Sequence, residues 1–177
     1  MEFSVKTLSV ILGSFVVAFI IKNVVEYKFG ETKNITRPHS YVTVDNVDKH
    51  LQCMALNIYR EAGNEAFEGK VAVAQVTINR VNNPKFPKDI CSVVYEKNVV
   101  LSKVICQFSW YCIPNLNKIP KNDKNYDESM AVAKKVVLEG FRLDMLNDAL
   151  YYHADYVNPN WKKPKIGKIG THIFYKG

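Results

Sequence analysis

LQCMALNIYREAGNEAFEGKVAVAQVTINR, Leu51 to Arg80, reads as two amphipathic helices placed end to end. Val47, Leu51, Met54 with Ala55, and Ile58 recur at helical spacing before the junction, and Phe67, Val71, Ala74, Ile78 and Val81 recur after it. The helices meet at Gly63-Asn64, where either residue can adopt the left-handed conformation that ends a helix. Glu65 and Glu68 then suit the positive end of the second helix dipole. Glu61 is the misfit, because a carboxylate gains nothing at the negative C-terminal end of a helix.

A carboxyl at a negative helix end, beside apolar Ile58 and Ala62, is expected to have a raised pKa, and a carboxyl protonated near neutrality is what general acid catalysis requires. The plainer reading is an exposed glutamate pairing with Arg60 or Lys70. The junction alone does not choose between them.

The rest of the chain does. Ala55 to Glu65, Glu68 to Val76 and Asn79-Arg80-Val81 are followed by Phe86-Pro87-Lys88-Asp89-Ile90-Cys91-Ser92-Val93-Val94-Tyr95 and by Gln107-Phe108-Ser109-Trp110. Ala149-Leu150-Tyr151-Tyr152-His153-Ala154-Asp155, Pro159, Trp161 and Gly170-Thr171-His172-Ile173-Phe174-Tyr175 complete the series. In this order the blocks resemble the cell-wall hydrolases of the spore-cortex-lytic (SleB/CwlJ) type, over about Leu51 to Lys176. The resemblance implies a lysozyme-like fold, mainly α with a small β element, preceded here by an N-terminal hydrophobic segment. It implies cleavage of the β-1,4 bond between N-acetylmuramic acid and N-acetylglucosamine in peptidoglycan glycan strands, with Glu61 as the acid/base and no cofactor.

Two glycosidic mechanisms stay open. A lytic transglycosylase needs one essential acid, which protonates the leaving oxygen and then takes a proton from the sugar's C6 hydroxyl. A muramidase needs a second carboxylate, for which Asp148 and Asp155 are candidates. Glu65 reads mainly as a helix-start residue, with a substrate-binding role in orientation rather than acid catalysis. Gln107, Ser109 and Trp110 are expected along the substrate groove, since an amide can bind an acetamido group in both directions and an aromatic face can stack on a sugar. Core packing is the plainer reading of Trp110. Tyr152 and His153 should point to opposite faces of a strand, so that only one readily faces a given cleft, and Tyr152 is assigned to it. His153 and His172 read as structural, and no metal is assigned. Two other classes remain: an inactive wall-binding envelope protein, and an amidase or peptidase using a Cys and a His. No GxSxG, HExxH or Walker A pattern occurs.

From Thr7 to Ile21 run fifteen uncharged, mostly apolar residues between Lys6 and Lys22. Residues 1–25 read as a signal anchor or signal peptide, giving membrane contact through residues 7–25, with a linker over 26–44 and the catalytic domain over 45–177. The domain is then expected on the outer side of the cytoplasmic membrane, anchored or secreted, as a monomer. Net charge is +7, and the part after Lys22 keeps +6, since Met1 to Lys22 contribute two lysines and one glutamate. Such a charge suits an anionic wall polymer. The lysines are scattered and no nucleic-acid-binding motif accompanies them, so nucleic acid is not expected.

Cys53, Cys91, Cys106 and Cys112 allow three pairings if all are oxidised; they lack a CxxC pair. A Cys106–Cys112 bond would pin Gln107 to Tyr111 as a loop, leaving Cys53 with Cys91; free cysteines are the alternative. Asp45 can cap the first helix, Asn82-Asn83-Pro84 stops the second, and Asp89 to about Glu96 forms a short third. Ser102 to Asn125 reads as a long connection, and a helix starts at Asp127-Glu128 and stops at Gly140. Ala149 to His153 and Thr171 to Tyr175 read as two strands around a loop from Asp155 to Lys168.

Overall fold

The computed structural model describes residues 46–177. The expected N-terminal segment, the linker and the Asp45 cap lie outside the described residues. Among the described residues, no helix is long and apolar enough to cross a membrane.

The leading sequence becomes helices α1 (Val47–Ala62) and α2 (Phe67–Asn82). The short α3 (Ile90–Val94) follows, capped by Asp89, whose side chain accepts from Ser92 N. α4 (Lys124–Val137) begins earlier than expected, because Asp123 takes the capping position and accepts from the Asn125 and Tyr126 amides. Leu51, Met54, Ala55 and Ile58 of α1 are buried with Val71, Ala74 and Ile78 of α2 and with Val132, Ala133 and Val136 of α4. Burying each of the larger side chains contributes about 1.5–3 kcal/mol.

Gly63 does not end α1 through a left-handed turn. Its φ of −57° is right-handed, and a Cβ there would meet the Tyr59 carbonyl oxygen at 2.4 Å. Glycine is needed for that close approach, which lets the chain turn within a few residues into α2.

The β content exceeds expectation. Strands β1 (Lys97–Val100) and β2 (Lys103–Cys106) form an antiparallel hairpin where a connection was expected to begin, and a 3₁₀ turn at Ser109–Cys112 follows it. β3 (Ala149–Ala154), β4 (Lys165–Ile169) and β5 (His172–Lys176) form an antiparallel sheet in the order β3-β5-β4, so the expected loop between the two outer blocks holds a strand of its own.

Polar side chains on α2 hold this sheet in place. Asn79 donates to the Leu146 and Ala149 carbonyls at 2.8 and 2.9 Å, and Arg80 Nε donates to Leu150 O at 2.9 Å. Gln75, fully buried, donates to Leu143 O and accepts from Leu143 N. These bonds replace the water that each buried group loses. Phe174 of β5 packs with Ala72, Val76, Leu146 and Ala149 in a second apolar cluster.

Two disulfides join Cys53 to Cys91 and Cys106 to Cys112. The first ties α1 to α3; the second closes a loop around the Gln107 to Tyr111 segment.

Candidate active site

Glu61 occupies the last turn of α1, and its Oε2 accepts from the Tyr152 hydroxyl of β3 at 3.0 Å. Burial raises the carboxyl's pKa from the ordinary glutamate value; the Tyr152 hydrogen bond and the Arg80 charge oppose the rise. The Tyr152 phenol is held well above its own usual value, chiefly by burial and then by the Glu61 charge, so it remains a donor at physiological pH. The residues that could have made Glu61 an ordinary surface pair are committed elsewhere. Lys70 meets Glu128 at 2.6 Å, while Arg60 donates to the Leu116 and Lys118 carbonyls.

Glu61 walls two cavities. One, of about 570 Å³, runs along the junction from Tyr59 to Glu65 and is closed by Leu116, Asn125 and Thr171. The other, of about 350 Å³, is bounded by Arg80, Gln107, Ser109, Tyr152 and Trp161 among others. No other described residue lines both. A carboxyl with open space on either side, one oxygen tied to a phenol, is placed to offer a proton to a bond between two groups lying in the two spaces.

Glu65 is placed differently. Its Oε1 accepts from the Thr171 amide at 3.1 Å and from the Thr171 hydroxyl, and His172 Nδ1 lies 3.8 Å away. It precedes α2, and its bonds go to the β4–β5 turn rather than to the free amides of the helix, so the dipole explanation is replaced by a tertiary one. Gly170, at φ 56°, turns the chain there, and a Cβ on it would collide with Glu65 Oε2. Glu65 still lines the larger cavity.

Gln107 and exposed Ser109 line the smaller cavity. With its amide oxygen turned toward Arg80, Gln107 accepts from Nη1 and Nη2 at 2.9 and 3.2 Å. Trp110 is only 4% exposed: its indole nitrogen donates to Asn57 Oδ1 at 3.1 Å, it packs edge-on with Tyr95 and Tyr111, and only its margin reaches the larger cavity. Its ring is therefore mainly core. The smaller cavity also takes in both Tyr152 and His153, against the expectation that one alone would face a cleft. β3 is an edge strand, so a space along its open side meets side chains from both faces. His153 bonds Ala154 O and the Tyr175 hydroxyl.

Neither candidate second acid lines these cavities. Asp148 pairs with Lys176 at 2.9 Å and Asp155 with Lys168 at 2.6 Å. Arg80, Tyr151 and Trp161, to which the sequence assigned no role, also belong to the smaller cavity. Trp161 is 41% exposed, with its edge contacts to Tyr151, His153 and Tyr175 leaving ring surface free. The sequence signal for Arg80 was a cation inside an otherwise apolar helical face; that for Trp161 was a tryptophan in a lysine-rich loop.

A mostly helical domain with small sheets and a desolvated glutamate between two cavities defines the class: a carboxyl-bearing groove suited to an extended substrate. The chain belongs to the cell wall hydrolase family, whose model matches residues 64–175. It is 32% identical over 155 residues to the spore cortex-lytic enzyme of Oceanobacillus iheyensis, covering 83% of this chain and 47% of that protein. It is 30% identical over 132 residues to that of Bacillus subtilis, covering 70% and 36%. The chain thus spans about half the length, or less, of these curated relatives. Its fold matches the catalytic domain of Bacillus cereus SleB, with a TM-score of 0.57 and 27% identity over 82% of this chain and 99% of that one. The catalytic domain of the germination-specific lytic transglycosylase SleB of Bacillus anthracis gives a TM-score of 0.56 and 29% identity, over 78% and 99%.

Proposed function

We propose that this chain cleaves peptidoglycan at the β-1,4 bond between N-acetylmuramic acid and N-acetylglucosamine, by lytic transglycosylation, with Glu61 as the single acid/base. The observation that carries the reading is that Glu61, alone among the described residues, walls both cavities while burial favours its protonated form. A glycan strand laid across it would place one sugar in each space, with the bridging oxygen over the carboxyl.

Glu61 gives its proton to the bridging oxygen as the muramic C1–O bond breaks, leaving positive charge at C1. The resulting carboxylate is stabilised by the Tyr152 hydroxyl and the Arg80 charge. It then takes the proton of the C6 hydroxyl as O6 bonds to C1, closing a 1,6-anhydro ring and restoring the acid. Burial promotes the giving and the Tyr152 bond promotes the retaking, so opposing influences on one pKa serve both halves. In this reading Gln107, Ser109 and Trp161 meet the sugar on one side of the bond, and Glu65 lines the other side as a positioning group. The commitment of Asp148 and Asp155 to ion pairs away from the cavities favours one acid over two.

The domain is proposed to work outside the cytoplasmic membrane, with residues 1–25 as an anchor or export segment. Incubating the full chain with purified peptidoglycan and identifying the products by mass spectrometry tests the reading. Anhydromuramic ends are expected. Reducing muramic ends would make it a muramidase, cut stem peptides an amidase or peptidase, and absence of products a binding protein.

A further inference from the structure

The β1–β2 hairpin carries a dense set of exposed aliphatic side chains. Leu101 at its apex is 92% exposed, Val99 72% and Val104 59%, and Val100 and Ile105 are also exposed. Scattered apolar residues are ordinary on a protein surface; a contiguous group marks a contact. The register puts Val99 opposite Val104 on one face, while Val100 and Ile105 lie on the other. Leu101 and Ser102, with φ of 50° and 63°, make the turn and set Leu101 at the tip.

An isolated two-stranded ribbon is marginal in water, yet the base of this one is fastened. Cys106 is bonded to Cys112, and Gln107 N donates to Glu96 O at 2.9 Å. The charged residues from Lys97 to Cys106 are both lysines: Lys103 near the tip, and Lys97 at the base, over the Tyr111 ring at 4.4 Å.

Three occupants compete for this tip. A second copy docking edge to edge or face to face would cover one face and bring like charges together. A glycan offers hydroxyls and ring faces, which aromatic and amide groups match and bare aliphatic tips do not. A bilayer surrounds a wedge on both faces and, when anionic, attracts lysine. The apolar run from Thr7 to Ile21 adds to this: the residues between it and α1, about 25, could span up to about 80–90 Å, enough to let the domain meet the surface that the run is expected to enter.

We propose that the β1–β2 hairpin inserts its aliphatic tip into an anionic lipid surface, with Lys103 at the level of the headgroups. The contact is independent of the proposed glycosidic chemistry and adds to any membrane attachment through residues 7–25. It would hold the domain against the membrane by a defined edge.

The test uses the full chain bound to vesicles of mixed zwitterionic and anionic lipids with brominated acyl chains. Leu101→Trp places a reporter at the tip, and Leu138→Trp places one at exposed Leu138 of the α4 end as control. The tip reporter is expected to be quenched severalfold and blue-shifted, the control to match the native background, and added Lys103→Gln to weaken tip insertion about fivefold, as expected for one lysine near an anionic surface. An unquenched tip reporter in vesicle-bound protein would overturn the proposal. So would equal quenching of the control, equal quenching without anionic lipid, or a blue shift produced by glycan fragments or by protein self-association in place of lipid.

Discussion

Glu61 and Glu65 stand a few residues apart on the same junction, and their surroundings turn one charge into two kinds of group. Glu61 is partly buried, bonded by a phenol and open to space on two sides. Glu65 is fastened to the Thr171 amide and hydroxyl across the β4–β5 turn, against a glycine that leaves room for it. The first arrangement leaves an oxygen for chemistry; the second spends an oxygen on architecture. Proximity to a cleft therefore does not identify an acid. What separates these two is how many donors already hold each and whether space opens on both sides of it.

The largest expected effect breaks the comparison at Glu61. Glu61→Gln should lower turnover by about 10²–10⁴-fold, the usual contribution of a general acid or base, measured as release of soluble muropeptides. It should also raise the thermal midpoint near neutral pH. A raised folded pKa means that the folded chain binds this proton more tightly than the unfolded chain, so stability is lost as pH rises through the folded value; the neutral amide removes that loss. Higher stability with lower activity is the signature of a strained functional group.

Next in size is the Cys53–Cys91 bond, which closes a separation of 38 residues. Replacing both cysteines by alanine should cost about 2–4 kcal/mol, read from denaturant unfolding, and reduce activity only as far as folding is lost. The same change at Cys106 and Cys112, separated by 6, should cost less stability and should move KM more, because the loop carries Gln107 and Ser109.

Tyr152→Phe sharpens the comparison. Without the phenol the carboxylate form of Glu61 loses a donor, its pKa rises further, and the alkaline limb of the pH–rate profile should move up while the maximal rate falls by up to about tenfold, the worth of one hydrogen bond. Glu65→Gln should have the smallest effect on turnover, within about tenfold, with its cost appearing mainly in stability through the Thr171 bonds. A Glu65→Gln loss as deep as that of Glu61→Gln would erase the distinction.

The helical half of this fold was legible because its information is local. Leu51, Met54 and Ile58 repeat at a helical period and Asp89 opens the short third helix, so α1, α2 and α3 follow from spacing with the resemblance beside it, whereas the cysteine spacing left three pairings open and the fold selects Cys53 with Cys91 and Cys106 with Cys112. The β1–β2 hairpin was missed because Val99, Val100, Val104 and Ile105 show no alternation of buried and exposed positions. β4 was missed because Ile166, Gly167 and Ile169 are divided among lysines. The site was legible where sequence context was odd, as at Glu61. Arg80 and Trp161 were also odd in context, but they reach the smaller cavity only through the packing of α2 against β3 and the fold of the loop before β4, so local context marked the residues without placing them at the site. Trp110 shows the converse: both a sugar-facing and a core reading were open from the sequence, and its bond to the Asn57 carboxamide holds most of the ring in the core while its margin lines the larger cavity.

The account rests on Glu61 being a carboxyl whose proton is held by burial, and that is measurable directly. In the full chain carrying ¹³C-labelled glutamate, with Glu61 assigned by its loss in Glu61→Gln, the side-chain carboxyl resonance is followed against pH. A midpoint above the ordinary glutamate value of about 4.3, rising further in Tyr152→Phe, is the predicted result. A midpoint at or below that value, unmoved by Tyr152→Phe, would contradict the assignment of Glu61 as the proton carrier.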